Sequence, residues 1–323
     1  MIANSGEYRK KNGQRGYVIM NNFIFENKTK VYFGKGGVKE YLGGLLANFG
    51  ETVMLAYGGG SIKCNGVYDE IMGILNAQGK CVVEFSGIMS NPTYAKVQDG
   101  AKLARENHVD LILAVGGGSV SDCCKVISGA FDTLSHAMET YFGKPDENNL
   151  SDDINEAVMR SVIRNIRILL TDPENYDARS ELAWASAMAE NGVLKIGKVT
   201  DFQAHQIHHQ LGAYTDCNHG VGLAVIHPVL YRHIYKSGTA RFTRWAQNVW
   251  GIAPKGSDEE TAAAGIDALA AFIKEIGLPT SFAELGIPAD TDFRAVADSP
   301  NITAGCCKKL THDEIYEILQ ECL

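Results

Sequence analysis

Six of the nine histidines of this chain lie between His205 and His233, and several have spacings that suit a metal site. His205 and His209 are four residues apart, so on a helix they share one face, with Cβ atoms roughly 6 Å apart. His219 follows after a turn-prone stretch that starts at Asp216. A helix-borne imidazole, a loop and a second imidazole commonly bring nitrogen ligands to one divalent cation. The alternative is that these histidines are structural and only satisfy their neighbours.

A second pair with the same spacing occurs upstream, where Asp132 and His136 would also share one helix face. Together with His205 and His219, this pair supplies one oxygen and three nitrogen ligands. Such a set suits Fe(II) or Zn(II), and it uses none of the eight cysteines. The sequence therefore predicts a metal site made from two segments that the fold must bring together.

The elements that must position these residues fall into two halves. From residue 20 to residue 128, strand and helix patterns alternate, which predicts one half of a doubly wound, dinucleotide-binding α/β sheet with parallel strands. From residue 129 to residue 323 the strand pattern nearly vanishes, and helical periodicity predicts an all-α, metal-binding domain. Residues 1–19 are polar, lack the apolar stretch of a secretory signal, and are predicted to be a disordered extension.

The individual elements follow from hydrophobic periodicity and from turn residues. Strands are predicted at 52–57, 81–85 and 110–115, with helices at 67–77 and from Asn91-Pro92 to residue 107. In the second half, helices are predicted at 151–170, 178–196, 222–235 and 261–276, and a capping box at Thr311–Glu314 opens the last helix.

Two Gly-Gly-Gly-Ser turns, at Gly58–Ser61 and Gly116–Ser119, each follow a predicted strand and precede a helix. Glycines there let backbone amides approach a phosphate, and the helix dipole favours the anion. Neither turn is a G-x-G-x-x-G fingerprint, so tight turns chosen for packing are the alternative. No carboxylate follows the first strand to hold a ribose 2′-hydroxyl, whereas Ser61 and Lys63 suit a 2′-phosphate. The sequence predicts NADP(H) over NAD(H), unless Lys63 is only a solvated surface charge.

The composition is that of an ordinary globular protein, with 45% hydrophobic and 21% charged residues among 323. A net charge of −8 with intermixed signs argues against nucleic acid or an anionic membrane as a partner. No apolar run approaches the roughly 20 residues that a membrane helix needs. The cysteines show no regular disulfide spacing and are interpreted as reduced thiols, so we expect a cytoplasmic protein.

In combination, these motifs resemble the iron-containing (group III) alcohol dehydrogenases, in particular the butanol dehydrogenase-like branch. The match runs from about Met20 to the C-terminus. The residues that carry it are Tyr57-Gly-Gly-Gly-Ser-Ile-Lys63, Asn91-Pro92, Gly116-Gly-Gly-Ser-Val-Ser-Asp122-Cys-Cys-Lys125, Asp132-x3-His136-Ala-Met-Glu139 and His205-x3-His209-x9-His219-Gly220.

The resemblance implies an N-terminal dinucleotide domain and a C-terminal helical domain, with a metal held by Asp132, His136, His205 and His219. It implies that His209 is not a ligand but lies near the nicotinamide, where it could relay a proton. Residue 208 is usually acidic in this branch, whereas this chain has His208. The implied cofactor contacts are Gly58, Gly59, Ser61, Asn91, Gly117, Gly118, Ser119 and Asp122.

One departure from the family is an internal absence. Family members have several dozen further residues, with strands and cofactor contacts, at the point where Ser128 here runs straight into Gly129. The resemblance predicts NAD(P)H-linked interconversion of small primary alcohols and aldehydes by a homodimer or larger homo-oligomer. The alternatives are a glycerol dehydrogenase-like or dehydroquinate synthase-like enzyme, and an inactive metal- and nucleotide-binding remnant.

Overall fold

The chain divides into two compact units. The computed structural model describes residues 24–27, 29–88, 94–116, 123–144, 148–302 and 307–323. One unit comprises Lys28–Val126, and the other comprises Ile127–Leu323 together with residues 24–27. The predicted extension at residues 1–19 and five predicted cofactor contacts lie outside the described residues: Asn91, Gly117, Gly118, Ser119 and Asp122.

The smaller unit contains a three-stranded parallel sheet with helices, as predicted for an α/β domain. The strand order is β2-β1-β3, which puts the first strand in the centre. The elements are α1 (Gly37–Leu46), β1 (Thr52–Tyr57), α2 (Ser61–Cys64), α3 (Val67–Ala77), β2 (Cys81–Phe85), α4 (Tyr94–Glu106) and β3 (Leu111–Val115). Strand β3 begins at Leu111, one residue after the predicted start. The residue before it, Asp110, donates its amide to the Thr52 carbonyl at 2.9 Å and accepts a hydrogen bond from the Thr52 amide through its carboxylate at 3.0 Å.

The central strand β1 forms the core of this unit. Its residues are apolar without alternation and are buried from Val53 to Tyr57, as expected for a parallel strand that is covered on both faces. Ile71 and Leu75, one turn apart on α3, pack against the sheet in the same cluster. Burying one such side chain contributes about 1.5–3 kcal/mol, so this cluster holds the glycine-rich end of β1 in place.

The larger unit is helical. In the part of it that the structure describes, the β-structure is limited to an isolated antiparallel bridge between Lys144 and Val199. Its helices are α5 (Cys123–Tyr141, which starts in the preceding unit), α6 (Leu150–Thr171), α7 (Tyr176–Glu190), α8 (Gln203–Thr215), α9 (His219–Ile234), α10 (Thr239–Asn248), α11 (Asp258–Glu275), α12 (Phe293–Asp298) and α13 (His312–Glu321). None of the helices in the described residues is long and apolar enough to cross a membrane.

The boundaries of the helices predicted in this unit differ from those observed by one to six residues, and two of the differences have a clear local cause. The helix predicted to end at residue 196 stops at Glu190, because Gly192 has a left-handed φ of 88° and a short 3₁₀ turn follows. The helix predicted to begin at Gly222 begins at His219, because the Asn218 side chain accepts a hydrogen bond from the Val221 amide and caps it. The capping box at Thr311 and Glu314 is confirmed.

A buried ion cluster ties α6 to α10 and to the segment before α8. Asp152 is fully buried, and its Oδ1 contacts Nζ of Lys198 and lies 2.8 Å from a guanidinium nitrogen of Arg241. Lys198 also donates a hydrogen bond to the carbonyl of Tyr141 at 3.2 Å. Two cations with little exposure therefore share one buried carboxylate.

We expect the substitution Asp152→Ala to destabilise the fold strongly, because it leaves both cations buried without their shared anion. Removing one partner of a buried ion pair typically costs about 3–5 kcal/mol. The neighbouring substitution Asp153→Ala is a matched control, since the Asp153 side chain is 62% exposed and a surface ion pair contributes about 0–1 kcal/mol. Urea unfolding would compare the two variants, and equal losses would contradict the expectation.

Candidate metal centre

The four predicted metal ligands converge in the helical unit. Asp132 and His136 lie on α5, His205 lies on α8, and His219 is the first residue of α9. Oδ1 of Asp132 lies 3.5 Å from Nε2 of both His205 and His219, and 3.7 Å from Nε2 of His136. The Nε2 atoms of His136 and His205 are 3.1 Å apart. The two i, i+4 motifs thus contribute to one cluster, although 73 residues separate Asp132 from His205.

The spacing of these atoms fits a single divalent cation. Metal–ligand bonds of 2.0–2.2 Å put tetrahedral ligand atoms about 3.3–3.6 Å apart, which is close to the separations observed. Asp132, His205 and His219 offer ligand atoms that all lie within 4.8 Å of one another. Oδ1 of Asp132 is buried and makes no hydrogen bond within the described residues, which is costly unless a cation satisfies it.

Glu139 supports this cluster from behind, although the sequence pattern gave it no role. Its carboxylate contacts Nδ1 of His205 and accepts hydrogen bonds from the amides of Ala204 at 2.5 Å and His205 at 3.2 Å. These amides belong to the first turn of α8, where Phe202 provides no side-chain cap, so Glu139 caps the helix and orients its histidine together. The signal in the sequence was its spacing: Asp132, His136 and Glu139 are i, i+4 and i+7.

Ionisation in this pair follows from mutual attraction inside the protein. Burial alone would raise the pKa of Glu139, but its contact with His205 lowers that pKa below the ordinary value. Burial alone would lower the pKa of His205, but the carboxylates of Asp132 and Glu139 raise it to about 9. A strongly polarised imidazole faces Asp132 as a result.

His136 has a carboxylate partner as well. Oε1 of Glu190, the last residue of α7, lies 2.7 Å from Nδ1 of His136. Burial would raise the pKa of Glu190, but His136 and Lys195 lower it. No spacing signal in the sequence points to Glu190. It lies 54 residues after His136, on a different helix, and only the tertiary fold brings the two side chains together.

Both ends of helix α8 have left-handed backbone conformations at non-glycine residues. Phe202 has φ of 55° and Asp216 has φ of 52°, a conformation that is unusual for such residues and is often retained at functional sites. The Phe202 ring packs against the imidazoles of His136 and His205, with centroids 5.5 and 5.0 Å apart. This conformation therefore aims an apolar ring at the cluster.

His209 lies beside the cluster without joining it. Its ring stacks on that of His219, with centroids 5.4 Å apart and planes inclined by 17°, and it lies edge-on to His205 at 6.1 Å. The residue is exposed, and burial together with the charge of His205 lowers its pKa below the ordinary value. His209 thus has a solvent-facing imidazole one helical turn from His205.

His208 is buried beneath the cluster, on the opposite side of α8 from solvent. Its Nδ1 lies 2.9 Å from Nδ1 of His219, and its Nε2 lies 3.4 Å from Sγ of Cys217. Burial and the neighbouring His219 lower the pKa of His208 to about 3. The resemblance to the family marks His208 as an unusual residue type at this position, but the sequence does not predict its contacts with His219 and Cys217.

In the smaller unit, the first glycine turn delivers the chain to a helix as predicted, since α2 begins at Ser61. Lys63, on α2, lies 3.5 Å from Glu84 of β2, which also accepts hydrogen bonds from the hydroxyls of Tyr57 and Tyr68 at 2.6 Å. The residues between β1 and Lys63 include no carboxylate, and no local pattern in the sequence points to Glu84 on the neighbouring strand. Lys63 therefore has an ion-pair partner in addition to solvent, since 49% of its side chain is exposed.

Two family models match this chain. Residues 126–323 match the model described as Fe-containing alcohol dehydrogenase family, C-terminal, and residues 28–157 match the model described as iron-containing alcohol dehydrogenase. The chain belongs to the iron-containing alcohol dehydrogenase family, and its class of activity is that of an alcohol or aldehyde oxidoreductase. The resemblance predicted from the motifs is confirmed.

Individual relatives agree with this membership. The chain is 29% identical to NADH-dependent butanol dehydrogenase A of Clostridium acetobutylicum over 389 residues, which covers 94% of this chain and 100% of the relative. It is 27% identical to the NADPH-dependent aldehyde reductase YqhD of Escherichia coli, covering 83% and 90%. The solved structure of NADH-dependent butanol dehydrogenase A from Thermotoga maritima has a TM-score of 0.87 at 27% identity, covering 94% and 99%.

The alignment with the Clostridium protein also bears on the predicted internal absence. It extends over 389 residues, whereas this chain has 323, so part of the relative has no counterpart here. Helix α5 continues without interruption across Ser128 and Gly129, where the absence was predicted. The junction between the two halves is therefore a helix in this chain.

Proposed function

We propose that this chain interconverts small primary alcohols and aldehydes, such as butanol and butyraldehyde, with a nicotinamide cofactor and a divalent metal. The observation that carries the proposal is the convergence of Asp132, His136, His205 and His219 at metal-ligand separations. A metal bound there, Fe(II) or Zn(II), would supply a Lewis acid for a carbonyl oxygen, and the nicotinamide would supply or accept hydride. The names of the relatives support the same substrate class.

The protein's own residues provide orientation and proton transfer in this proposal. Glu139 and Glu190 face Nδ1 of His205 and His136, so the Nε2 atoms of both imidazoles point toward Asp132. Carboxylates in such positions fix the tautomer of a ligating histidine and increase its basicity. Phe202 covers one side of the cluster with an apolar ring, which limits access of water. His209 is the candidate for moving a proton between the substrate oxygen and solvent.

The test is oxidation of NADPH and NADH by the purified protein with butyraldehyde, after loading with Fe(II), with Zn(II) or with no metal. We expect turnover that depends on added metal and disappears after chelation. Glycerol as substrate in the oxidative direction separates the glycerol dehydrogenase-like alternative. A protein that binds one equivalent of metal but turns over no alcohol or aldehyde would contradict the proposal. It would favour the inactive remnant, a second candidate because this chain of 323 residues is shorter than its 389-residue alignment with the Clostridium protein.

The cofactor preference is a separate prediction. We propose NADP(H) over NAD(H), because Ser61 and Lys63 follow β1 and could hold a 2′-phosphate. Glu84 offsets the charge of Lys63, so we expect only a mild preference in the wild type. Glu84→Gln should increase the ratio of kcat/KM for NADPH to that for NADH by about two- to fivefold, the size of an exposed ion pair. Lys63→Ala should reverse the preference.

Glu70, on the exposed face of α3, provides a control for the loss of a carboxylate elsewhere in this unit. Glu70→Gln should leave the ratio of the two kcat/KM values unchanged. A wild-type enzyme with a clear preference for NADH would overturn the prediction, whatever the variants do.

A further inference from the structure

The three imidazoles of the cluster have different partners behind them. His205 and His136 each have a carboxylate at Nδ1, from Glu139 and Glu190 respectively. His219 instead has the imidazole of His208, with the two Nδ1 atoms 2.9 Å apart. This distance is a hydrogen bond, and in a pair of imidazoles one ring must donate and the other must accept.

The direction of that hydrogen bond follows from the geometry of the cluster. Nε2 of His219 faces Oδ1 of Asp132 at 3.5 Å, so Nε2 is the atom available to a metal. A neutral imidazole that ligates through Nε2 has its proton on Nδ1, and His219 must therefore donate to His208. Nδ1 of His208 then has no proton, and its remaining proton lies on Nε2, which points at Sγ of Cys217 at 3.4 Å. The hydrogen bonds run in one direction, from His219 through His208 to Cys217.

Packing holds the His208 ring in the position that this chain of hydrogen bonds requires. His208 is 2% exposed. A Cβ built on Gly222 of α9 would lie 2.4 Å from Cδ2 and Nε2 of His208, a distance that real Cβ atoms do not adopt. The absence of a Cβ at this position of α9 therefore leaves room for the His208 ring where α8 and α9 pack together.

We propose that His208 is a positioning residue for the metal centre: it accepts the Nδ1 proton of His219, fixes the ring and tautomer of that ligand, and is itself oriented by Cys217 and Gly222. The inference rests on the proposed metal centre and concerns a partner that is uncharged, unlike Glu139 and Glu190. Loss of such a partner typically weakens metal binding by about 10- to 100-fold.

The first experiment measures Co(II) affinity and the visible absorption of the Co(II)-loaded protein in wild type and two variants of His208. His208→Leu keeps most of the volume but removes the acceptor, and we expect Kd to rise about 10- to 100-fold with an altered spectrum. His208→Asn places an amide oxygen near the position of Nδ1, and we expect it to restore affinity and spectrum. His312→Ala, which removes an exposed histidine on α13, is the control and should match wild type.

The second experiment uses a substitution at Gly222, because adding a methyl group there changes no polar side chain. Gly222→Ala should displace the His208 ring and weaken Co(II) binding as His208→Leu does. In the background of His208→Ala, which vacates the space, Gly222→Ala should have little further effect, because contacting residues are not additive. This cycle keeps the inference testable if His208→Leu does not fold.

The outcomes separate the inference from the proposed function. If wild type binds Co(II) and both His208→Leu and Gly222→Ala retain its affinity and spectrum, the role of His208 is refuted while the metal centre stands. If wild type itself binds no Co(II), Fe(II) or Zn(II), the metal centre fails and the inference fails with it. The inference would also be overturned if His208→Leu binds Co(II) weakly and His208→Asn does not restore the affinity. The loss would then come from the shape of the side chain and not from the missing hydrogen-bond acceptor.

Discussion

Purified His219→Ala protein should contain well below one equivalent of Fe(II) or Zn(II) under conditions where wild type is fully loaded. The substitution removes one of the four proposed ligand atoms and the hydrogen-bond partner of His208 Nδ1. Metal affinity depends on the full set of ligands being held together, so the remaining three should bind weakly. Turnover of butyraldehyde should fall to the background rate in the same preparation. Elemental analysis after gel filtration measures the metal content.

The variant is expected to fold, because His219 is partly exposed and Asp132 keeps the neighbouring Nε2 atoms of His205 and His136. His205→Ala should lose metal as well, but it also removes the imidazole that contacts the buried carboxylate of Glu139. His219→Ala is therefore the cleaner test of metal binding. His312→Ala again controls for the loss of a histidine. Wild type should also gain thermal stability on adding metal, since a ligand that binds only the folded state stabilises it. A His219→Ala protein with a full equivalent of metal would refute the ligand assignment.

His209→Ala should have the opposite pattern, with metal retained and kcat reduced by about 10²- to 10⁴-fold, the typical contribution of a general acid or base. His209 stacks on His219 but supplies none of the converging ligand atoms, and its exposed ring can exchange protons with solvent. Four protein ligands already surround the proposed metal position, and an open position must remain for substrate oxygen. Parallel measurements of metal content and of kcat for butyraldehyde reduction test both halves of this expectation.

Chemical rescue distinguishes proton transfer from packing in the same variant. Added imidazole should restore part of the kcat of His209→Ala but should not affect wild type or a Gln210→Ala control on the next residue of α8. A variant with normal metal content and normal turnover from about pH 5 to pH 8, the range in which imidazoles titrate, would show that His209 only packs on the helix.

The local sequence was enough to predict the elements and the sides of helices on which the site residues lie. β1 and β2 occur at the predicted residues, because short runs rich in β-branched and aromatic residues, bounded by turn residues, favour strands over helices. The pairs Asp132/His136 and His205/His209 lie on helices as their spacing predicted, since i, i+4 periodicity is a property of the helix itself. The first glycine turn precedes a helix for the same local reason.

Tertiary packing alone decided which partners these residues have. Glu190 comes to His136 from the end of another helix, and His208 meets His219 because α8 and α9 pack across Gly222. Glu84 meets Lys63 because β2 lies next to β1 in the sheet. Each of these contacts joins residues on different elements, so no periodicity within one segment encodes it. The sequence therefore determined the types of the proposed ligands and the helices that carry them, whereas packing determined the side chains that contact them.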